Sequence, residues 1–310
     1  MRLFDMHCDT LYECVMGEHE LSENSLHIDL KRGLEFDAWG QVFAVWMPDT
    51  IRGEAARQQC RRILERAHTE AVNNPDKIII VYNSEDLDSA FKSRRCATIL
   101  AVEGGSALGG RLETIDIMSG LGVKIITLTW NGANELGNGC LSGNKAGLTK
   151  FGIDSIKKME SANIVPDVSH LNEAGFWDVI HTANRPIIAS HSVSAGVFNH
   201  PRNLTDEQFK AVINTGGLVG ITLCCDQLGK QTFECIQRHI EHYLSLDGSN
   251  NLAFGCDFDG ADLPADWGGI QVMEDIYEYL YRKNYEEYLL DRLFFSNCYD
   301  FYRTALTNAG

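Results

Sequence analysis

The sequence predicts an α/β protein, a single (β/α)8 barrel of the TIM type over residues 1–310 with helices at its C-terminal end. Three observations lead there. Short apolar segments alternate with helical spacings along the whole chain. Those segments are apolar throughout, as strands of a parallel sheet covered on both faces are. One after another they stop on a histidine or a carboxylate, where the C-terminal rim of a barrel gathers its chemistry.

The first segment, Leu3-Phe4-Asp5-Met6-His7-Cys8-Asp9, is a buried strand ending in a His-x-Asp pair. Residues two apart on a strand share a side, so His7 and Asp9 present an imidazole and a carboxylate to one ion while Cys8 turns to the barrel wall. Residues 10–37 read as a polar rim loop with short helical turns. Strand 41–46 follows and Pro48 ends it. Helical spacing over 52–73 (Ala56, Cys60, Ile63, Leu64, Ala67, Ala71) stops at Asn73-Asn74-Pro75. The β-branched run 78–82 precedes a helix that Ser84 opens. Strand 97–102 then ends in Glu103-Gly104-Gly105. Helix 112–120 leads to strand 124–130, a glycine-rich loop over 131–147 and helix 150–162. Strand 164–170 ends at His170, helix 172–182 follows, and strand 186–191 ends at His191. The turn His200-Pro201-Arg202-Asn203 precedes a helix opened by Thr205. Strand 217–223, helix 233–246 and strand 252–260, with Asp257 and Asp259 at its end, complete the alternation. Helices 269–282 and 286–306 close the chain. These are nine strand candidates where a barrel needs eight. The run 78–82 is the extra one, because it ends in nothing chemical. No Gly-x-Gly-x-x-Gly follows the first strand, which argues against a doubly wound sheet. No repeat or linker divides the chain.

The net charge of −16 excludes nucleic acid and anionic membrane surfaces as partners, since both need clustered positive charge. No apolar run approaches a membrane span and no signal peptide is apparent. Ten cysteines without a Cys-x-x-Cys pair fit reduced, mostly buried thiols, hence a cytoplasmic protein.

Strand ends thus supply His7, Asp9, Glu103, His170, His191 and Asp257. Each alone has a structural explanation: Glu103 caps a turn, the histidines bond to backbone, Asp257 and Asp259 make an Asx turn. All six at one rim point to one site. Three imidazoles with two or three carboxylates suit zinc or a similar divalent ion, and the number suffices for two. A carboxylate can bridge two such ions and leave a shared water to be activated. His239 and His242 are three apart on a helix with no strand end near them, and read as a solvated face.

The pieces Asp5-Met6-His7-Cys8-Asp9, Val102-Glu103-Gly104-Gly105, Asp167-Val168-Ser169-His170, Ser190-His191-Ser192, Arg202-Asn203 and Gly255-Cys256-Asp257-Phe258-Asp259-Gly260, in this order, resemble the renal (membrane) dipeptidase family of zinc peptidases along nearly the whole chain. The resemblance implies a barrel with two Zn2+ ions that hydrolyses dipeptides to free amino acids. It implies that His7 and Asp9 hold one zinc, His170 and His191 the other, and that Glu103 bridges. It also implies that Asp257 shuttles the proton of the attacking water and Arg202 takes the substrate's C-terminal carboxylate, a task suited to a guanidinium fork. One position departs. Where the best-known members carry a histidine beside the scissile bond, this chain has Trp130, whose indole donates one N–H and has no acid–base function.

Two other readings stand beside this one. A barrel amidohydrolase would act on an N-acyl amino acid or a cyclic amide. Many such enzymes bridge their metals with a carboxylated lysine, but Lys124 lies at the start of its strand, away from the rim. A non-catalytic metal-binding protein would need neither Asp257 nor Arg202. Exposed rim loops and short terminal helices leave room for a homodimer.

Overall fold

Eight parallel strands close on one another in the computed structural model, which describes residues 1–307; residues 308–310 of the expected domain lie outside the described residues. The strands are β1 (Arg2–Cys8), β2 (Ala38–Trp46), β3 (Ile78–Ile80), β4 (Cys96–Glu103), β5 (Val123–Thr127), β6 (Val165–Asp167), β7 (Ile188–Ala189), β8 (Leu218–Ile221) and β9 (Leu252–Phe254). β2 pairs directly with β4, and β1 pairs with β9, so the ring runs β1–β2–β4–β5–β6–β7–β8–β9. This is the (β/α)8 barrel, with β3 outside it.

The position of β3 has a simple cause. β5 joins β4 only from Leu100 onward, leaving the first residues of β4 open on that side. β3 covers them through Ile78 opposite Cys96 and Ile80 opposite Thr98, and so satisfies backbone groups that would otherwise be exposed.

Two apolar layers follow from the strand alternation. Phe4, Met6, Val42, Ala44, Ile99, Ala101 and Ile125 belong to one buried cluster, which also contains Phe295, Cys298 and Tyr302 from the C-terminal segment. Phe4 stacks on Tyr302 at 5.4 Å, so this segment packs against the starts of the strands. Leu3, Phe43, Val45, Leu100 and Val102 belong to the second cluster, with Ile63, Leu64 and Ile156 from the covering helices. β1 changes register between Asp5 and Cys8, and Cys8 falls in the helix-facing cluster as expected. At the seam the buried Asp5 carboxyl accepts from Gln41 Nε2 (2.6 Å) and Cys256 N (2.7 Å), tying β1 to its neighbours. Burial pushes its pKa up to about 6.

Helix boundaries match the spacings to within a few residues, with two differences. Thr10–Met16 is a regular helix rather than rim loop. The last expected helix is broken into Glu287–Asp291 and Asn297–Thr307 by a π-helical turn, Arg292–Ser296. No helix among the described residues is long and apolar enough to cross a membrane.

Candidate active site

Every residue expected at the metal site arrives at the C-terminal rim. His7 lies in β1 and Asp9 just after it, and Glu103 is the last residue of β4. His170, His191 and Asp257 sit two or three residues beyond β6, β7 and β9. The backbone at His170 (φ 69°), Asp257 (64°) and Asp259 (65°) is left-handed. That conformation is sparsely populated for residues with a Cβ and concentrates at functional sites. Gly260 is required for a different reason: a methyl group there would overlap the carboxylates of Asp9 and Asp257.

Glu103 is the centre of the arrangement. Its Oε2 lies 3.3 Å from His7 Nε2, while its Oε1 lies 2.8 Å from His170 Nε2 and 3.4 Å from His191 Nε2. The two carboxylate oxygens therefore face two separate ligand sets. His7, Asp9 and Glu103 form one group of converging ligand atoms; Glu103, His170 and His191 form a second; His7, His191 and Asp257 form a third. All of these side chains are buried except Asp257, which is partly so.

The hydrogen bonds behind the ligands fix their tautomers. His170 Nδ1 lies 2.9 Å from Asn131 Oδ1, an acceptor, so the ring's proton sits on Nδ1. Ser190 Oγ donates to Asp167 Oδ2 (2.6 Å) and so must accept from His191 Nδ1 (2.8 Å). Asp167 itself is braced by Thr127 Oγ1 (2.6 Å) and by the backbone N–H groups of Ser169 and Ser190. Both Nε2 atoms then carry bare lone pairs, and they lie only 2.9 Å apart. Two lone pairs at that distance repel unless a cation sits between them. On the other side of Glu103, His7 Nε2 and Asp9 Oδ1 are buried with no hydrogen-bond partner, an arrangement costly for polar atoms unless something binds them. The residues fit metal ions.

The electrostatics agree. Burial, with Arg202 adding, pushes His170 down to about 4, and burial, with His7 and Arg202 adding, holds His191 well below the histidine range. Both shifts favour the neutral ring, the form that can bind a metal. Burial opposes charge on His7, yet Glu103, Asp9 and Asp257 together raise it to about 10. Burial likewise opposes charge on Glu103, but His7 and His170 keep its carboxyl well below the usual range. Burial and the Glu103 charge push Asp9 far up; burial, with Glu103 adding, takes Asp257 to about 6. The cluster holds more negative charge than one imidazolium can balance.

A cleft of about 320 Å³ opens above these ligands, lined by Asp9, Glu103, His170 and Asp257, and by Trp46 and Trp130. Trp130 thus faces the cleft. Arg202 is 6% exposed and lines an adjoining cavity with His170 and Ser192. Among the described residues its guanidinium makes one hydrogen bond, to the His191 carbonyl at 3.4 Å. A buried guanidinium has five donors, so this one is poised for an anion.

The sequence matches the membrane dipeptidase family, peptidase family M19, over residues 1–308. The chain belongs to this family. A Klebsiella pneumoniae protein encoded in the pqqA 5′ region is 31% identical over 71% of this chain and 86% of its own length. Among solved structures, the metallo peptidase dipeptidase AC superposes with a TM-score of 0.92 at 24% identity, covering 99% of both chains. A Rhodobacter sphaeroides metallo peptidase, solved with a phosphinate mimic of the dipeptide L-Ala-D-Ala, superposes with a TM-score of 0.90 at 23% identity, covering 97% of this chain and 98% of its own. Membership makes the chain a metallopeptidase that hydrolyses dipeptides.

Sequence reasoning gave no role to the supports, Asn131 and, within the matched pieces, Asp167 and Ser190, and passed over Tyr12, Glu13 and Trp46, which also line the cleft. It also misplaced His239. That ring is fully buried, accepting from Ser194 N at Nδ1 (3.1 Å) with Nε2 facing Leu228 O (3.3 Å), rather than solvated. Cys235, Ile236, Ile240 and Tyr243 are buried on the same helix, and their i, i+3, i+4 stripe includes position 239.

Proposed function

We propose that this metallopeptidase uses two zinc ions per chain, one held by His7 and Asp9, one by His170 and His191, with Glu103 bridging them. The division of Glu103's oxygens between two histidine sets carries this reading. When bound, such ions act as Lewis acids on the scissile carbonyl and lower the pKa of water. Imidazole and carboxylate donors without thiolates suit zinc.

The chain's own groups supply the rest. Asp257, whose Oδ1 lies 3.8 Å from His7 Nε2, takes the proton of the attacking water and returns it to the leaving amine. Arg202 holds the C-terminal carboxylate of the dipeptide through charge-assisted bonds. The substrate then lies across His170, which lines both the Arg202 cavity and the cleft. Trp130 walls that cleft without taking part in proton transfer. All ten cysteines are free and most are buried, which supports a reducing compartment, the cytoplasm.

The test compares free with C-terminally amidated dipeptides. Wild type should strongly prefer the free form. Arg202→Ala should raise KM for it by about 10- to 100-fold, since such a bond is worth about 1.5–3 kcal/mol. Equal turnover of free and amidated dipeptides by wild type would remove Arg202 from this role.

A further inference from the structure

Among the described residues, His170 is the one that lines both the Arg202 cavity and the cleft. In the binding mode proposed above, a dipeptide anchored at Arg202 and lying across His170 directs its N-terminal residue into the cleft. The far side of that cleft is aromatic. Tyr12 meets Trp46 edge to face (centroids 4.8 Å apart, planes at 80°), and Trp46 meets Trp130 in the same way (5.0 Å, 76°). Each ring is thus turned nearly perpendicular to the next, so the three form a corner. All three are partly exposed.

Beside the rings stands an uncommitted carboxylate. Glu13 follows Tyr12 on the helix Thr10–Met16 and lines the cleft. Its side chain makes no hydrogen bond or ion pair among the described residues. Asp259, by contrast, is occupied by Thr10 Oγ1 and by the backbone N–H of His27. Five carboxylates line the cleft: Asp9, Glu13, Glu103, Asp257 and Asp259. The volume of about 320 Å³ is at the lower end of the range for small-ligand sites, enough for one side chain beside a peptide bond.

Aromatic faces attract cations through their quadrupoles, most strongly for tryptophan, and a nearby carboxylate adds directly to that attraction. We propose that Tyr12, Trp46, Trp130 and Glu13 form a subsite for the side chain of the substrate's N-terminal residue, and that it selects a cationic one, lysine or arginine. The inference rests on the dipeptidase reading above and names its substrate class. A neutral aromatic side chain would also stack on the rings but would leave Glu13 without a partner.

The experiment gives the zinc-loaded enzyme lysyl-alanine, norleucyl-alanine, phenylalanyl-alanine and alanyl-alanine. Norleucine keeps the lysine chain and removes its charge. kcat/KM for the lysyl substrate should exceed that for the norleucyl one by about 10-fold, the size of a partly desolvated cation–aromatic contact. Glu13→Gln should bring the two close to parity, and Trp130→Ala should reduce the ratio. Lysyl and norleucyl phosphinates, with the scissile amide replaced, should bind in the same order by calorimetry without any turnover. Equal handling of the lysyl and norleucyl compounds overturns the proposal. So does a lysine preference that survives Glu13→Gln unchanged, or a preference for phenylalanine over lysine. Should wild type hydrolyse none of the dipeptides, the dipeptidase reading fails, and the order of phosphinate binding still decides the subsite.

Discussion

Replacing Asp167 by asparagine changes one oxygen to an amino group and should thereby disable His191, a proposed zinc ligand it never touches. Asp167 is fully buried, and each of its oxygens accepts two donors: Oδ1 from the N–H groups of Ser169 and Ser190, Oδ2 from the hydroxyls of Thr127 and Ser190. Neither orientation of an asparagine amide preserves all four. If the amino group faces the hydroxyls, Ser190 Oγ becomes an acceptor from it, and its proton turns to His191 Nδ1 at 2.8 Å in preference to the longer contact with Ser169 Oγ at 3.3 Å. That moves the ring's own proton to Nε2, the atom needed for metal. If it faces the backbone, two buried N–H groups lose their acceptor, at about 1–3 kcal/mol each. Stability should therefore fall by about 2–6 kcal/mol, and affinity at the His170–His191 position by about 10- to 100-fold, as is usual when a ligand's support is lost. Ser190→Ala removes the link more gently, keeping three of Asp167's four bonds, and should show the affinity loss with a smaller stability loss. Competition with a chromophoric chelator reads the first quantity and urea unfolding the second. Wild-type zinc affinity in both variants would refute the tautomer argument.

Two other outcomes test separate parts of the molecule. Asp257→Asn keeps the shape but cannot accept a proton, so kcat should fall by about 10²–10⁴ with zinc content unchanged; a loss of zinc would make Asp257 a ligand instead. His239, whose pKa burial lowers to about 4, is satisfied as a neutral ring, and protonation would set a new N–H against that of Ser194. The unfolded chain takes up that proton near pH 6.5 and the folded one only near 4, so stability is complete above 6.5 and falls as the pH drops toward 4, by up to about 3 kcal/mol. His239→Asn, which still accepts from Ser194, should flatten the loss between pH 7 and 5 in urea titrations; parallel curves for the two proteins would rule out His239 as its source.

The convergence of His7, Asp9, Glu103, His170, His191 and Asp257 on one rim was legible in the sequence because each is fixed by its own strand end, a local pattern, and the barrel alone brings them together. The extra strand 78–82 was legible for the same reason, since a run ending in nothing chemical has no place at the rim. What escaped depends on contacts distant in sequence. Asp167 and Asn131 act through His191 and His170, and nothing local marks a carboxylate that orients a residue 24 positions away. The helix Thr10–Met16 buries only Leu11, Cys14 and Val15 besides Thr10, too short a stripe to stand out from a polar loop. His239 escaped although its signal was present, because its spacing to His242 drew attention from its place on the apolar stripe. The π-helical turn at Arg292–Ser296 is a local change of winding inside a continuous helical spacing, which periodicity does not resolve.

The central claim is that two ions, shared through Glu103, make this chain a dipeptidase. Titrating the metal-free protein with zinc while following hydrolysis of a free dipeptide tests it most directly. Activity should rise until two equivalents are bound and then stop, and Glu103→Ala should weaken both binding steps. Full activity at one equivalent, or two tight equivalents retained in Glu103→Ala, would contradict it.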